Sequence, residues 1–287
     1  MFKFLQKLFG ITTLLLLTLG NTCQEKILTE NEKVIVIPMD LSSQRPVIKV
    51  MINNKGPYRF IFDTGSSGSD IDSELARELG LEVIRKDTLY TPGSDDMLMS
   101  EKIRVSKVSF LGTDIAVRAV MNTIPIRQML PVDGIISPEF FSDYLITLDY
   151  PNSKLLLAKG ELTKADKDVI SFNQNDMVIN FDIFVNDRKV EAHMDSGNPS
   201  GFNIPYSQKD KLSFKKEPIL AGMIRTPVTS FKRWSATLNG TIKVGNITYK
   251  DPVVNLVEGF KFVNLGYQVF KDLKITIDKK NNLIKFE

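Results

Sequence analysis

The stretch Tyr58–Ile71, YRFIFDTGSSGSDI, begins as a strand and stops abruptly. Phe60, Ile61 and Phe62 are aromatic or β-branched and suit a pleated sheet. Asp63 follows at once, and behind it Thr64, Gly65, Ser66, Ser67 and Gly68 are small, turn-forming residues. An apolar strand therefore delivers a carboxylate into a turn. Burying that charge is unfavourable unless neighbouring groups hold it, so the turn must be built to do so.

A second stretch repeats the arrangement. Glu191–Ile204 reads EAHMDSGNPSGFNI, and with Asp195 set beneath Asp63 the offset is 132 residues. Thr64 then faces Ser196, Gly65 faces Gly197, Gly68 faces Ser200 and Ile71 faces Asn203. Upstream, the alternating strand Pro46–Asn54 matches Asn180–Asp187. Downstream, a short helix or turn at Ser73–Leu81 answers Ser207–Phe214, and a hairpin at Val105–Val117 answers Thr241–Val254. Finally, Gly134–Leu157 parallels Val263–Phe286, each closing in a hairpin, LDYPNSKL and IDKKNNLI. Ordered matches at a near-constant offset indicate duplication of one β-rich unit. The resulting division is residues 1–22, a signal peptide; 23–33, a linker; 34–160, a first lobe; and 161–287, a second.

Composition limits the chemistry. With 287 residues, 43 % of them hydrophobic, the chain can bury a large core. A net charge of +3, with charges scattered rather than blocked, argues against a nucleic-acid partner. One histidine, His193, and one cysteine, Cys23, cannot assemble a His/Cys zinc cluster, so no metal and no cofactor is expected. No G-x-S-x-G turn or G-x-x-x-x-G-K phosphate loop is present. Carboxylates are the remaining agents.

Two pseudo-symmetric halves would bring Asp63 and Asp195 to one axis. Adjacent carboxylates do not both ionise readily, so one keeps a proton and the pair offers an acid and a base together. Such a pair can activate a water, direct it at a carbonyl and protonate the leaving nitrogen. Gly65 and Gly197 would let backbone N–H groups approach the acids, and the hydroxyls of Thr64 and Ser196 would fix the turns across the axis.

FDTGSS and MDSG, with the later segments GIIS (Gly134–Ser137) and VNLG (Val263–Gly266), resemble the pepsin-like and retropepsin-like aspartic proteases over nearly all of residues 34–287. The resemblance implies an all-β fold of two six- or seven-stranded barrel-like lobes with a cleft between them. It implies a monomeric, single-chain endopeptidase acting on peptide or protein substrates, and the short stretch from Cys23 to Val34 with no possible disulfide fits a bacterial member without a prosegment. It also implies a support role for Ser66 beside the acid, and a flap over the cleft carrying Tyr90 and Gly93 in LYTPGSDDMLM. The pattern is broken at Ser137, where glycine is usual, at Asn264, where an apolar residue is usual, and at Asn198, which stands opposite Ser66. Those breaks motivate an alternative, a catalytically silent peptide-binding or envelope scaffold protein. A glycoside hydrolase is a third reading, which would need its two acids about 5 to 9.5 Å apart.

Residues 1–22 carry Lys3, Lys7 and the apolar run ITTLLLLTLG, the pattern of a secretory signal. Two readings of its end stand: lipid attachment at Cys23, giving a periplasmic or envelope lipoprotein that could be anchored in the outer membrane, or ordinary cleavage nearby. His193, two residues before Asp195, would share its strand face and either tune the pair or serve as packed structure. Trp234 is expected in the core.

Overall fold

The computed structural model describes residues 34–90, 97–173, 178–225 and 230–287, without the side chains of Tyr90 and Arg225. The signal segment, Cys23, the linker to residue 33, Gly93 and the side chain of Tyr90 thus lie outside the described residues.

Period-two alternation sets the strands. In Val47–Ile52 the side chains of Ile48, Val50 and Ile52 are buried and Lys49 is exposed; in Asn180–Val185, Phe181, Ile183 and Val185 are buried while Asp182 and Phe184 face out. The first half forms β1 (Ile35–Pro38), β2 (Val47–Ile52), β3 (Lys55–Phe62), β4 (Asp70–Asp72), β5 (Glu82–Tyr90), β6 (Met97–Phe110), β7 (Ala116–Ile124), β8 (Gly134–Ile136), β9 (Leu145–Asp149) and β10 (Lys154–Ala158). The second forms β11 (Val169–Ser171), β12 (Asn180–Val185), β13 (Arg188–Met194), β14 (Phe202–Pro205), β15 (Ile219–Arg225), β16 (Ser230–Thr237), β17 (Thr241–Val244), β18 (Ile247–Lys250), β19 (Val253–Val257), β20 (Val263–Leu265), β21 (Lys274–Asp278) and β22 (Leu283–Phe286). Helix α1 (Ser73–Glu78) follows β4, and α2 (Tyr267–Phe270) follows β20. Asp72 caps α1 by accepting from the N–H groups of Glu74 and Leu75.

These strands make three sheets. In the first lobe the order is β2-β3-β8-β4-β7-β6-β5, and β2 also pairs with β6, so six strands close a ring and β5 lies outside it. The second lobe differs from the expected six or seven strands: its sheet has nine, in the order β15-β16-β19-β14-β20-β13-β12-β17-β18, and stays open. The two extra members arise because β16 and β17 form separate strands where β6 of the first lobe runs long, and β18 and β19 do so where β7 runs long. The third sheet, β1-β10-β9-β21-β22-β11, belongs to both halves.

The third sheet explains how two lobes become one body. The closing hairpins, read from sequence as the end of each copy, pair with each other through β9 and β21. Thr147 faces Thr276 at the centre of that pairing, and their buried hydroxyls meet at 2.9 Å. Ile146, Leu148, Leu155, Leu157, Ile275, Ile277 and Ile284 are all buried beside it. Fully burying a side chain of this size is worth about 1.5–3 kcal/mol, so the shared sheet holds the lobes together strongly. Phe60 and Phe62 join Phe110 and Phe141 in the same continuous core.

In each lobe a short strand is inserted beside the strand that carries the acid. β8 runs parallel to β3 and antiparallel to β4; β20 runs parallel to β13 and antiparallel to β14. The insertion reaches just past each strand end, where the Asp63 N–H donates to the Ile136 carbonyl and the Asp195 N–H to the Leu265 carbonyl, both at 2.9 Å.

Candidate active site

Asp63 and Asp195 follow directly on β3 and β13, and the two turns meet face to face. Thr64 and Ser196 join them. The Thr64 N–H donates to Ser196 Oγ at 2.9 Å and the Ser196 N–H donates to Thr64 Oγ1 at 3.0 Å. Each hydroxyl then donates across the axis, Thr64 Oγ1 to the Met194 carbonyl at 3.0 Å and Ser196 Oγ to the Phe62 carbonyl at 2.7 Å. Both residues are fully buried, so every donor and acceptor in the exchange is spent within the protein.

The two glycines stand where nothing larger fits. A Cβ on Gly197 would lie 2.5 Å from Asp63 Oδ2, and one on Gly65 would lie 2.8 Å from the Asp195 carboxyl carbon. The Gly65 N–H donates to Asp63 Oδ1 at 2.8 Å and the Gly197 N–H to the same oxygen at 3.3 Å. Each carboxyl group thus lies against the glycine of the opposite turn. Burial, and then the neighbouring Asp195 charge, push Asp63 up to about 8.

Ser66 does not support the acid with its hydroxyl. Ser66 Oγ donates to the Gly68 carbonyl at 2.6 Å and pins the turn instead. The outer oxygen of Asp195 is served from elsewhere: Asn264 Nδ2, on β20, donates to Asp195 Oδ2 at 2.7 Å. The other two breaks in the motif also have partners. Asn198 Nδ2 donates to Asn264 Oδ1 at 2.6 Å, and the Ser137 N–H donates to Ser69 Oγ at 2.9 Å.

Two neighbours of the pair carry no signal in the motifs. Arg45, in the turn before β2, donates from Nε to the Gly197 carbonyl at 2.8 Å and from Nη1 to the Ser43 carbonyl at 3.3 Å. Its half-buried guanidinium is pushed down by desolvation and held up by the charges of Asp195 and Asp63. Tyr150, just after β9, packs edge-on against Tyr267 and has a buried hydroxyl without a hydrogen-bond partner among the described residues. Burial raises its pKa, with smaller contributions from Tyr267, Asp195 and Asp63. A single Arg or Tyr is common enough on any chain that only the fold singles these two out.

His193 is buried. Its Nδ1 meets Asn180 Oδ1 at 2.8 Å and its ring packs edge-on to Phe262. Nε2 faces Gly65, 3.0 Å from the point where a Cβ would sit. Trp234 is half-buried rather than central, its ring 4.2 Å from that of Tyr206 at the margin of the core. The indole stays at this margin because β16 lies near the open end of its sheet.

Residues 48–140, from β2 through the inserted strand β8, match the family model for aspartyl proteases. Over that span the chain is similar to the aspartyl proteases. The match takes in Asp63, its turn and the inserted segment Gly134–Ser137. The matched segment is mirrored by the second half in geometry, with the same inserted strand and the same strand-end acid. No curated protein matches the chain.

Proposed function

We propose that the protein is an aspartic endopeptidase in which Asp63 and Asp195 together activate the hydrolytic water. One observation carries this reading: the two acids, one from each half, each lie against the glycine of the opposite turn, on turns locked to each other by Thr64 and Ser196. The ionised member of the pair takes a proton from water as the water oxygen bonds to the peptide carbonyl carbon. The protonated member gives its proton to the carbonyl oxygen, forming a neutral tetrahedral diol. Collapse of the diol breaks the C–N bond. The first acid passes its proton to the leaving nitrogen, and a diol hydroxyl returns a proton to the second.

Because each half supplies one acid, a single chain is complete, and we take the active form to be a monomer. The signal-like start and Cys23 support placement in a bacterial cell envelope through a lipid on that cysteine.

The test is cleavage of a broad peptide library by wild type and by Asp63→Asn and Asp195→Asn, with folding followed by circular dichroism. Activity should fall by orders of magnitude in each variant, and the double variant should lose little more, since the pair acts as a unit. Wild-type turnover in either single variant would rule out the pair as catalyst. A folded wild type that cleaves nothing would favour the silent peptide-binding alternative.

A further inference from the structure

The two departures from the family motif, Asn198 and Asn264, form one directed hydrogen-bond chain that ends on Asp195. The direction is fixed at its start by a backbone group. The Ser200 N–H can only donate, and it donates to Asn198 Oδ1 at 2.9 Å. Asn198 must therefore turn its Nδ2 outward, and that group donates to Asn264 Oδ1 at 2.6 Å. Asn264 in turn must present Nδ2, which donates to Asp195 Oδ2 at 2.7 Å. Asn264 is buried and Asn203 lies along its side, so the amide is held in place.

Among the described residues the first lobe has no such chain. Ser66 stands in the place of Asn198 and spends its hydroxyl on the Gly68 carbonyl. Ile135 occupies the β8 position that matches Asn264 on β20, and an isoleucine has nothing to donate. Among the described residues Asp63 receives only the N–H groups of Gly65 and Gly197, both on Oδ1. The pseudo-symmetry of the backbone is thus broken in the hydrogen bonds that reach the two acids.

We propose that the Asn198–Asn264 chain makes Asp195 the ionised member of the resting pair and leaves the shared proton on Asp63. Asn264 is a positioning residue here: it acts through the Asp195 carboxylate and touches no substrate. A donor stabilises the charged form of a carboxylate, and the benefit is larger in a site shielded from water. The other groups facing Asp195 act as follows. Arg45, from the turn before β2, is a cation influenced more by Asp195 than by Asp63, and so favours charge on Asp195. His193, on the same strand as Asp195, has its Nδ1 on Asn180 Oδ1. Tyr150, just after β9, has a phenol that burial keeps neutral, and Tyr267 packs edge-on against it. Asp63 itself is the remaining acid: the Gly65 and Gly197 N–H groups favour its charged form, and burial together with the neighbouring Asp195 charge outweighs them. On the proposed function, Asp195 is then the group that takes the proton from water and Asp63 the group that protonates the carbonyl oxygen. That extension rests on the protease reading; the location of the proton does not.

The experiment is carbon-13 NMR of full-length protein labelled at aspartate carboxyls, titrated from acid to alkaline pH, with Asp63→Asn and Asp195→Asn assigning the two signals. The Asp195 signal should move to its charged position first, with Asp63 holding its proton well past it. Asn264→Leu keeps the size of the side chain and makes it apolar, as Ile135 is at the matching position of the other lobe. It should raise the lower midpoint by about one to two pH units, the size expected for loss of a hydrogen bond to a charge. Asn198→Leu, one bond further back, should move it in the same direction by less. The acidic limb of the kcat/KM profile should follow. A resting proton on Asp195, or an unmoved lower midpoint in a folded Asn264→Leu, would overturn the proposal. If Asn264→Leu does not fold, the order of titration in wild type decides alone. Protein that cleaves no peptide yet titrates Asp195 first would retain this inference and sink the protease reading.

Discussion

Thr64 and Ser196 exchange one hydrogen-bond pattern twice, each giving its backbone N–H to the other's hydroxyl, at 2.9 and 3.0 Å. Residues 132 positions apart in the chain thereby set the separation of the two acids more tightly than any local contact could. Each hydroxyl also reaches a carbonyl on the strand of the opposite lobe, so neither turn can move without breaking buried bonds.

Thr64→Val keeps the shape of the side chain and removes its hydroxyl. The buried Ser196 N–H then loses its acceptor and the Met194 carbonyl its donor. Stability should fall by about 1–3 kcal/mol, and Ser196→Ala should cost about the same. Because the two share their bonds, the double variant should be less damaged than the sum of the singles. Urea midpoints of the four proteins check this, and strict additivity would count against a coupled lock.

Gly65→Ala and Gly197→Ala place a methyl group where the opposite carboxyl already lies. The turn must open, and the acids must separate. Peptide cleavage should drop by about a hundredfold or more, as expected for a displacement of order an ångström at a reacting pair. The far-UV spectrum should stay native, because the strands on either side keep their partners. An alanine variant at either position with wild-type cleavage would mean that acid spacing does not limit the rate.

The repeat made the acids, their turns and the β class legible, because Asp-Thr-Gly and Asp-Ser-Gly are short local signals on alternating strands. What the sequence hid was everything set by pairing between the copies. The hairpins Leu148–Leu155 and Ile277–Ile284 look like two separate lobe ends, yet they build one sheet through Thr147 and Thr276. Asn264 looked like damage to an apolar pattern, since its partner Asp195 lies 69 residues away. Ser66 was assigned by position to the acid, and the turn gives its hydroxyl a nearer acceptor in Gly68.

Asp149 illustrates the same point and yields a test. By position it is an acid remote from the pair, and so a natural inert control. In the structure it is buried and caps the turn after β9, accepting the Asn152 N–H at 3.1 Å and the Asn152 side-chain amide at 3.0 Å. Asp278 does the same after β21, accepting the Asn281 N–H at 3.0 Å. Asp149→Ala and Asp278→Ala should each lose about 1–2 kcal/mol of stability in thermal or urea unfolding. Asp182, exposed on β12 and paired with Lys189, is the proper control, and Asp182→Asn should change neither stability nor cleavage.

Cys23 can be tested in the native host. The mature protein should begin at this residue and carry its lipid mass, and Cys23→Ser should release the protein from membranes. A mature chain that starts beyond residue 23, or an unmodified thiol there, would refute envelope anchoring by lipid.

The raised Asp63 makes stability depend on pH with a definite sign. Its folded value of about 8 lies above the unfolded carboxyl value of about 3.9, so between these limits the native state holds a proton that the unfolded chain has released. Stability conferred by that proton is complete below the unfolded value and disappears as pH rises through the folded one. The slope from one such group is at most about 1.4 kcal/mol per pH unit. Asp70, buried beside Asn122 and pushed up to about 6, adds a loss of the same sign that ends sooner. Wild type should therefore weaken most steeply from about pH 4 to 6 and go on weakening to about 8. Asp63→Asn supplies a neutral group of the same shape and should flatten the curve between 6 and 8 while leaving the Asp70 part. Asp70→Asn should flatten the earlier part alone, since an amide oxygen can still accept from Asn122. Urea midpoints at pH 5, 7 and 8.5 read both windows. Parallel curves for wild type and Asp63→Asn above pH 6 would show that Asp63 does not hold a proton in the folded protein.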